Sequence, residues 1–218
     1  MIRNIILNFL FSTIAVFMVG CSTTGSKTAR VPGYMFDDNY MSEIMEFDYN
    51  NNIKSLLSSV NGYEGSRAGG DCSGFVSLLN EKNGGIFFSP SDVDAHMTSS
   101  RKSEGIYNLY SANGDISYKD PRPGDLIFFY NTTSNTKNSS KKHITHLGVI
   151  KDVYANGRIS FVHHSSGKNI VSYMNTLKKN TFQSKDGVVE NSYLVRCRGG
   201  DTSCLASNRF AGFGMVAR

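Results

Sequence analysis

The stretch ITHLGVIKDVYANGRISFVHH, residues 144–164, decides how this chain is read. Ile144 to Val153 is a mostly apolar run of strand length, and Arg158 to His164 answers it. Between them, Asn156-Gly157 is the strongest short hairpin signal, because a tight primed turn needs positive φ at its central residues. The hairpin carries histidine at two places, His146 near its start and the doublet His163-His164 at its end. Side chains alternate across a strand, so only one member of the doublet shares a face with His146. A two-residue turn would pair Ala155 with Arg158, set Ile150 opposite His163, and give His163 the face of His146. That register leaves the two rings far apart. A four-residue loop or a bulge would bring His163 opposite Gly148 and closer to His146, whereas a three-residue loop would reverse the faces.

Working outward, Pro123-Gly124 turns into a further strand, Leu126 to Tyr130, followed by a polar stretch, Asn131 to Lys142, that reads as a solvated loop. Ile170 to Met174 and Tyr193 to Cys197 supply two more strands. The first half is helical. Ile53, Leu56, Leu57 and Val60 make one apolar stripe that stops at Asn61-Gly62. A second helix opens at Asp71 as N-cap, carries Phe75, Val76 and Leu79 on one face, and ends near Asn83-Gly84-Gly85. Ser89-Pro90-Ser91-Asp92 opens a third. Helices first and antiparallel strands after argue an α+β fold, with N-terminal helices packed on a sheet of about five strands.

With Asp71 as cap, Cys72 falls in the first turn of its helix. The positive dipole end there favours a thiolate, and Gly74 leaves room for something to approach. The competing reading is a buried Cys that acts as a small hydrophobe. A nucleophilic Cys needs a base, and the base needs a group to orient it. Of the five histidines, His96 is expected mid-helix beside Met97 and His143 in the solvated loop. His146 and His163, on one hairpin downstream of a helix-capping Cys, complete a Cys-His-His constellation, with His164 on the back of the sheet.

The N-terminus reads as an address. Met1 to Asn4 carry one positive charge, and Ile5 to Gly20 is an apolar run broken only by Asn8, Ser12 and Thr13. Met18-Val19-Gly20-Cys21 resembles the bacterial lipobox, which implies a signal peptide over residues 1–20 and lipid on Cys21. Residues 21–37 then form a small, polar tether, and residues 38–218 the folded domain. Export sets an oxidising compartment. Cys197 and Cys204 are separated by the Gly-containing run Arg198 to Ser203, which can turn back far enough for a disulfide pinning the C-terminal tail. Cys72 is then the odd thiol.

Composition agrees with one globular domain. Hydrophobic residues make up 39% of 218, which excludes wholesale disorder. The body holds no apolar run of about 18 residues, which excludes a polytopic membrane protein. The formal charge is +5, but basic residues cluster only as doublets such as Lys141-Lys142. Such a dispersed excess suits an acidic surface and gives no reason to expect a nucleic-acid partner.

Four blocks, in order, carry a resemblance: Asp71-Cys72-Ser73-Gly74-Phe75-Val76, Arg122-Pro123-Gly124-Asp125-Leu126-Ile127-Phe128-Phe129, His146-Leu147-Gly148-Val149-Ile150, and Phe161-Val162-His163. Together they resemble the NlpC family, papain-like cysteine peptidases that cut bacterial cell-wall peptides. The resemblance covers roughly residues 53–167. It implies a papain-like fold, with Cys72 as nucleophile, His146 as base and His163 as the residue that orients it. Tyr63, Asp71 and Ser73 resemble residues that border the substrate. The implied substrate is the peptidoglycan stem peptide, cut between the γ-carboxyl of D-glutamate and the diamino acid. No metal or cofactor is implied. The expected protein is a monomeric, membrane-anchored lipoprotein of the cell envelope, facing the periplasm from the outer membrane. The rival readings are a papain-like wall amidase and a non-catalytic wall-binding lipoprotein. The chain departs from the family in having no Trp, where members carry Trp-Gly-Gly after the Tyr.

Overall fold

The apolar stripe of the first helix, α1 (Asp38–Tyr63), buries Leu56 and Val60 completely. Phe75, Val76 and Leu79 of α2 (Cys72–Lys82) are buried beside them in one core. This computed structural model describes the backbone of residues 38–216 and the side chains from Asp48 to Val216. The signal-like run, Cys21 and the tether lie outside those residues. α3 (Pro90–Ala95) starts at its proline, although the Ser89 hydroxyl turns to Ser91 instead of capping the helix. His96 is the residue that ends α3, not a mid-helix position; its Nδ1 lies 2.7 Å from the Asp92 carbonyl. α4 (Lys102–Asn113), which the sequence reading did not single out, stops at Gly114 in the left-handed conformation (φ 79).

The strands are β1 (Ile116–Ser117), β2 (Leu126–Tyr130), β3 (Ile144–Val153), β4 (Arg158–Ser165), β5 (Lys168–Asn175) and β6 (Phe210–Gly214). They form one antiparallel sheet in the order β1-β6-β2-β3-β4-β5. The fold is therefore α+β with six strands, and the C-terminal segment is part of its sheet. β6 enters between β1 and β2, while Tyr193 to Cys197 is no strand: Tyr193 makes a single bridge to Leu205. The buried Asp125 carboxylate ties the turn before β2 to the segment after β6, accepting from the Arg122 N–H at 2.9 Å and the Val216 N–H at 3.0 Å. Between Arg198 and β6 lie a 3-10 turn (Thr202–Cys204) and α5 (Ala206–Arg209). Cys197 and Cys204 are joined as a disulfide, their Cα atoms 6.3 Å apart, and Cys72 is free. The polar stretch after β2 is not simply solvated. Asn131 is buried, and its amide donates to the Ser139 and Lys141 carbonyls.

Alternation along the strands divides the sheet into two buried faces. Leu126, Phe128, Leu147, Val149 and Val162 face the helices. Ile127, Phe129, Ile150, Phe161 and Phe213 form a second core, covered by Leu194, Ala206 and Phe210. Burial on both faces explains why β2 reads as an uninterrupted apolar run. A side chain such as Phe128, fully removed from water, contributes about 1.5–3 kcal/mol.

The central hairpin closes differently from the two-residue expectation. The Tyr154 N–H donates to the Arg158 carbonyl at 2.8 Å, so the loop has three residues, Ala155 to Gly157. That loop alone would turn His163 to the wrong face. A register shift in β3 between Ile150 and Asp152 adds one residue and restores parity. Val149 then pairs with Val162 and Ile150 with Phe161, so the next position sets Gly148 against His163. A Cβ on Gly148 would lie 2.7 Å from the Val162 carbonyl oxygen and 3.0 Å from the His163 Cβ. Glycine is what lets β4 bring His163 this close.

Candidate active site

Asp71, extended at φ −147, caps α2: its Oδ1 accepts from the Gly74 N–H at 2.7 Å and from the Ser73 hydroxyl at 2.9 Å. Burial pushes the Asp71 carboxyl up, but those hydrogen bonds and the nearby His164 more than offset it, and it titrates below its ordinary value. The room at Gly74 is filled by the protein itself. A Cβ there would stand 2.0 Å from the Gly69 carbonyl oxygen, and Gly69 takes φ +92 to pass so close. The loop from Tyr63 to Asp71 is thus packed hard onto the helix start.

Cys72 occupies the first turn, half-buried, with the Leu147 N–H directed at its sulfur. Burial pushes the thiol up to about 11, and the Asp71 charge adds to this, against the pull of the Leu147 and Ser73 amides. The expected thiolate is therefore overturned for the resting protein: desolvation outweighs the helix end, and the thiol is neutral at pH 7.

One residue before Leu147, His146 places Nε2 2.5 Å from Nδ1 of His163, the two rings nearly perpendicular at 88°. His163 in turn sets Nε2 2.8 Å from the buried Ser172 hydroxyl of β5. Burial, partly countered by Asp71 and reinforced by His164, lowers His146 to about 4. Burial first, then His146 and His164, hold His163 well below its ordinary value. The relay is a chain of neutral groups.

His164 takes the opposite face. It is buried there, with Nδ1 2.9 Å from the Asn169 Oδ1. Asn169 is a clamp. Its amide donates to the Tyr63 carbonyl, the Ser66 hydroxyl and the Ala68 carbonyl, while its backbone exchanges hydrogen bonds with Gly65 and Ser66. Tyr63, the last residue of α1, packs partly buried against the helix-side core. The structure thus sets Tyr63 at the end of α1 and Asp71 and Ser73 at the start of α2 on either side of Cys72, and brings His146 and His163 onto one sheet face.

Sequence reading missed Ser172 and Asn169. Both lie opposite residues of β4, Ser172 across from Phe161 and Asn169 across from His164. A polar residue sharing the His163 face was the only available signal. Among the described residues, the one grouping of potential metal ligands is Cys197, Asp201 and Cys204, whose two sulfurs are bonded to each other.

The family model described as NlpC/P60 family matches residues 60–189, more than half of the chain and all of Cys72, His146, His163 and Ser172. The chain belongs to the NlpC/P60 family. NlpC/P60 proteins are papain-like cysteine peptidases of peptidoglycan, and the domain supports a cell-wall peptidase of that class here. Comparisons with curated proteins and with solved structures give no match. Within this NlpC/P60 domain the match includes α4, and it ends before α5 and β6.

Proposed function

We propose that this NlpC/P60 domain belongs to an exported lipoprotein that hydrolyses peptidoglycan stem peptides at the bond from the γ-carboxyl of D-glutamate to the diamino acid. One observation carries the reading: the His146–His163–Ser172 chain starts on β3, the strand whose Leu147 amide is directed at the Cys72 sulfur.

The relay works in one tautomeric sense. Ser172 accepts from His163 Nε2–H, so His163 Nδ1 is an acceptor for His146 Nε2–H. That leaves the lone pair of His146 on Nδ1, available to Cys72. The depressed His146 and raised Cys72 start the reaction as imidazole and thiol. As the sulfur attacks the peptide carbonyl, its proton passes to His146 Nδ1, and backbone amides around Cys72 stabilise the oxyanion. The imidazolium protonates the leaving amine, a thioester forms, and His146 then takes a proton from water to release the acid. His163 keeps the ring and its tautomer fixed throughout. Tyr63 borders the site, and Asp71 and Ser73, flanking Cys72, border the substrate at the bond to be cut.

Lipid on Cys21 would hold the domain at the envelope membrane, facing the periplasm; Cys21→Ala should then move the protein out of the membrane fraction. Incubation of purified muropeptides with the full chain, read by mass spectrometry, tests the activity. The expected products are a fragment ending in D-glutamate and one beginning with the diamino acid. Release of the intact stem peptide from its sugar would point instead to an amidase, and no cleavage to a binding protein.

A further inference from the structure

α4 packs over the N-terminal end of β3, where the Ser103 hydroxyl donates to the Ile144 carbonyl. Beside this contact a cavity of about 260 Å³ is lined by Tyr107, Tyr118, Tyr130, Lys142 and Ile144, among others. The tyrosines are fixed by their surroundings. Tyr107 stands edge-on to Phe128 with centroids 5.3 Å apart, and Tyr118 edge-on to Phe210 at 6.2 Å. Lys142 Nζ lies 4.7 Å from the centre of the Tyr130 ring. Yet Tyr118 is 65% exposed, a large ring held in place with an open face. A rigid, open tyrosine face with hydroxyls and an ammonium beside it suits a flat, hydroxylated ring, whose C–H face stacks on Tyr118 while its polar groups reach the rim. The volume admits one such ring and no long chain.

From these features we infer that this cavity is a binding site for an N-acetylated pyranose of the glycan strand. Resting on the proposed stem-peptide activity, it makes the sugar that bears the peptide part of the substrate. The spacing fits. Ile144 lines the cavity, and the Leu147 amide meets the Cys72 sulfur, so about 10 Å of β3 separates the two. In the substrate, two residues lie between the sugar's lactyl group and the γ-glutamyl bond. Extended, they span about 7 Å, and the lactyl and γ linkages supply the remainder. A sugar seated at the Ile144 side of the cavity would place that bond at Cys72.

The test uses the full chain with Cys72→Ala, so that binding is read without turnover. The probe is the peptide-free disaccharide of N-acetylglucosamine and N-acetylmuramic acid, followed by saturation-transfer NMR. Saturation should reach the pyranose and N-acetyl protons, and adding Tyr118→Ala should weaken binding about tenfold without lowering the thermal midpoint. On the Cys72 chain, kcat/KM for disaccharide-bearing over free stem peptide should exceed one by about tenfold, and Tyr118→Ala should bring that ratio near one. Disaccharide binding that depends on Tyr118 supports the site even if neither peptide is cut, in which case the peptidase reading alone falls. No saturation transfer, or transfer untouched by Tyr118→Ala, overturns the sugar site whatever the peptides do.

Discussion

Replacing His163 by Ala removes both hydrogen bonds of the relay at once, the 2.5 Å contact to His146 and the 2.8 Å contact to Ser172. His163 is only 2% exposed, so each stranded partner loses its bond where water reaches poorly. Each such group costs about 1–3 kcal/mol of stability, a loss visible in a denaturation curve. The catalytic loss should be larger. Without His163, nothing holds the proton on His146 Nε2, and the ring loses both tautomer and aim. General-base assistance of this kind is worth about 10²–10⁴-fold, and we expect kcat on a stem peptide to fall by that factor. KM should move little, because His163 touches His146 and not the substrate. His163→Gln returns an amide oxygen within reach of His146 Nε2–H and should recover part of kcat. His164→Ala, on the opposite face, should keep kcat within a few-fold and show its cost in stability through the lost Asn169 bond. Turnover followed by chromatography, on variants first shown to be folded, decides the matter. Full activity in His163→Ala with a dead His164→Ala would refute the face assignment and the relay built on it.

Three further outcomes follow from the same geometry. With the Cys72 thiol pushed up to about 11, alkylation by iodoacetamide should quicken about tenfold per pH unit from pH 7 to 10; a plateau already present at pH 6 would show a resting thiolate instead. His146 stays neutral down to about 4 when folded but binds a proton near its ordinary 6.5 when unfolded, so its share of stability is present at pH 7 and lost as pH falls. Between pH 6.5 and 5 that share is about 2 kcal/mol, and urea unfolding of His146→Gln should show a shallower pH slope than the parent. Gly148→Ala drives a Cβ against the Val162 carbonyl and the His163 Cβ, and should cost about 1–3 kcal/mol and lower kcat, read by thermal melting and turnover.

Periodicity and capping carried most of the fold. β3 runs over Ile144–Val153 as its apolar run indicates, and α2 begins where Asp71 can cap it. The sequence placed His146 and His163 on one hairpin, but the register came about by a route no turn rule specifies. A three-residue loop and a bulge each shift parity, and their effects cancel. β6 was not legible because Phe210-Ala211-Gly212-Phe213-Gly214 lacks the β-branched residues that mark a strand; its pairing with β2 is a tertiary choice. Tyr193 to Cys197 alternates like a strand yet finds no sheet edge. The state of Cys72 was misjudged because a helix N-terminus is visible in sequence and desolvation is not. Ser172 and Asn169 act only through partners across a hairpin, and single residues in a strand pattern do not announce a partner.

Cys72 as the nucleophile of a wall peptidase is the point on which the mechanism turns. Digestion of purified muropeptides by the full chain and by Cys72→Ala, side by side and read by mass spectrometry, tests it most directly. The parent should release a D-glutamate-ended fragment, and the folded variant should leave the muropeptides intact. Undiminished cleavage by Cys72→Ala would contradict it.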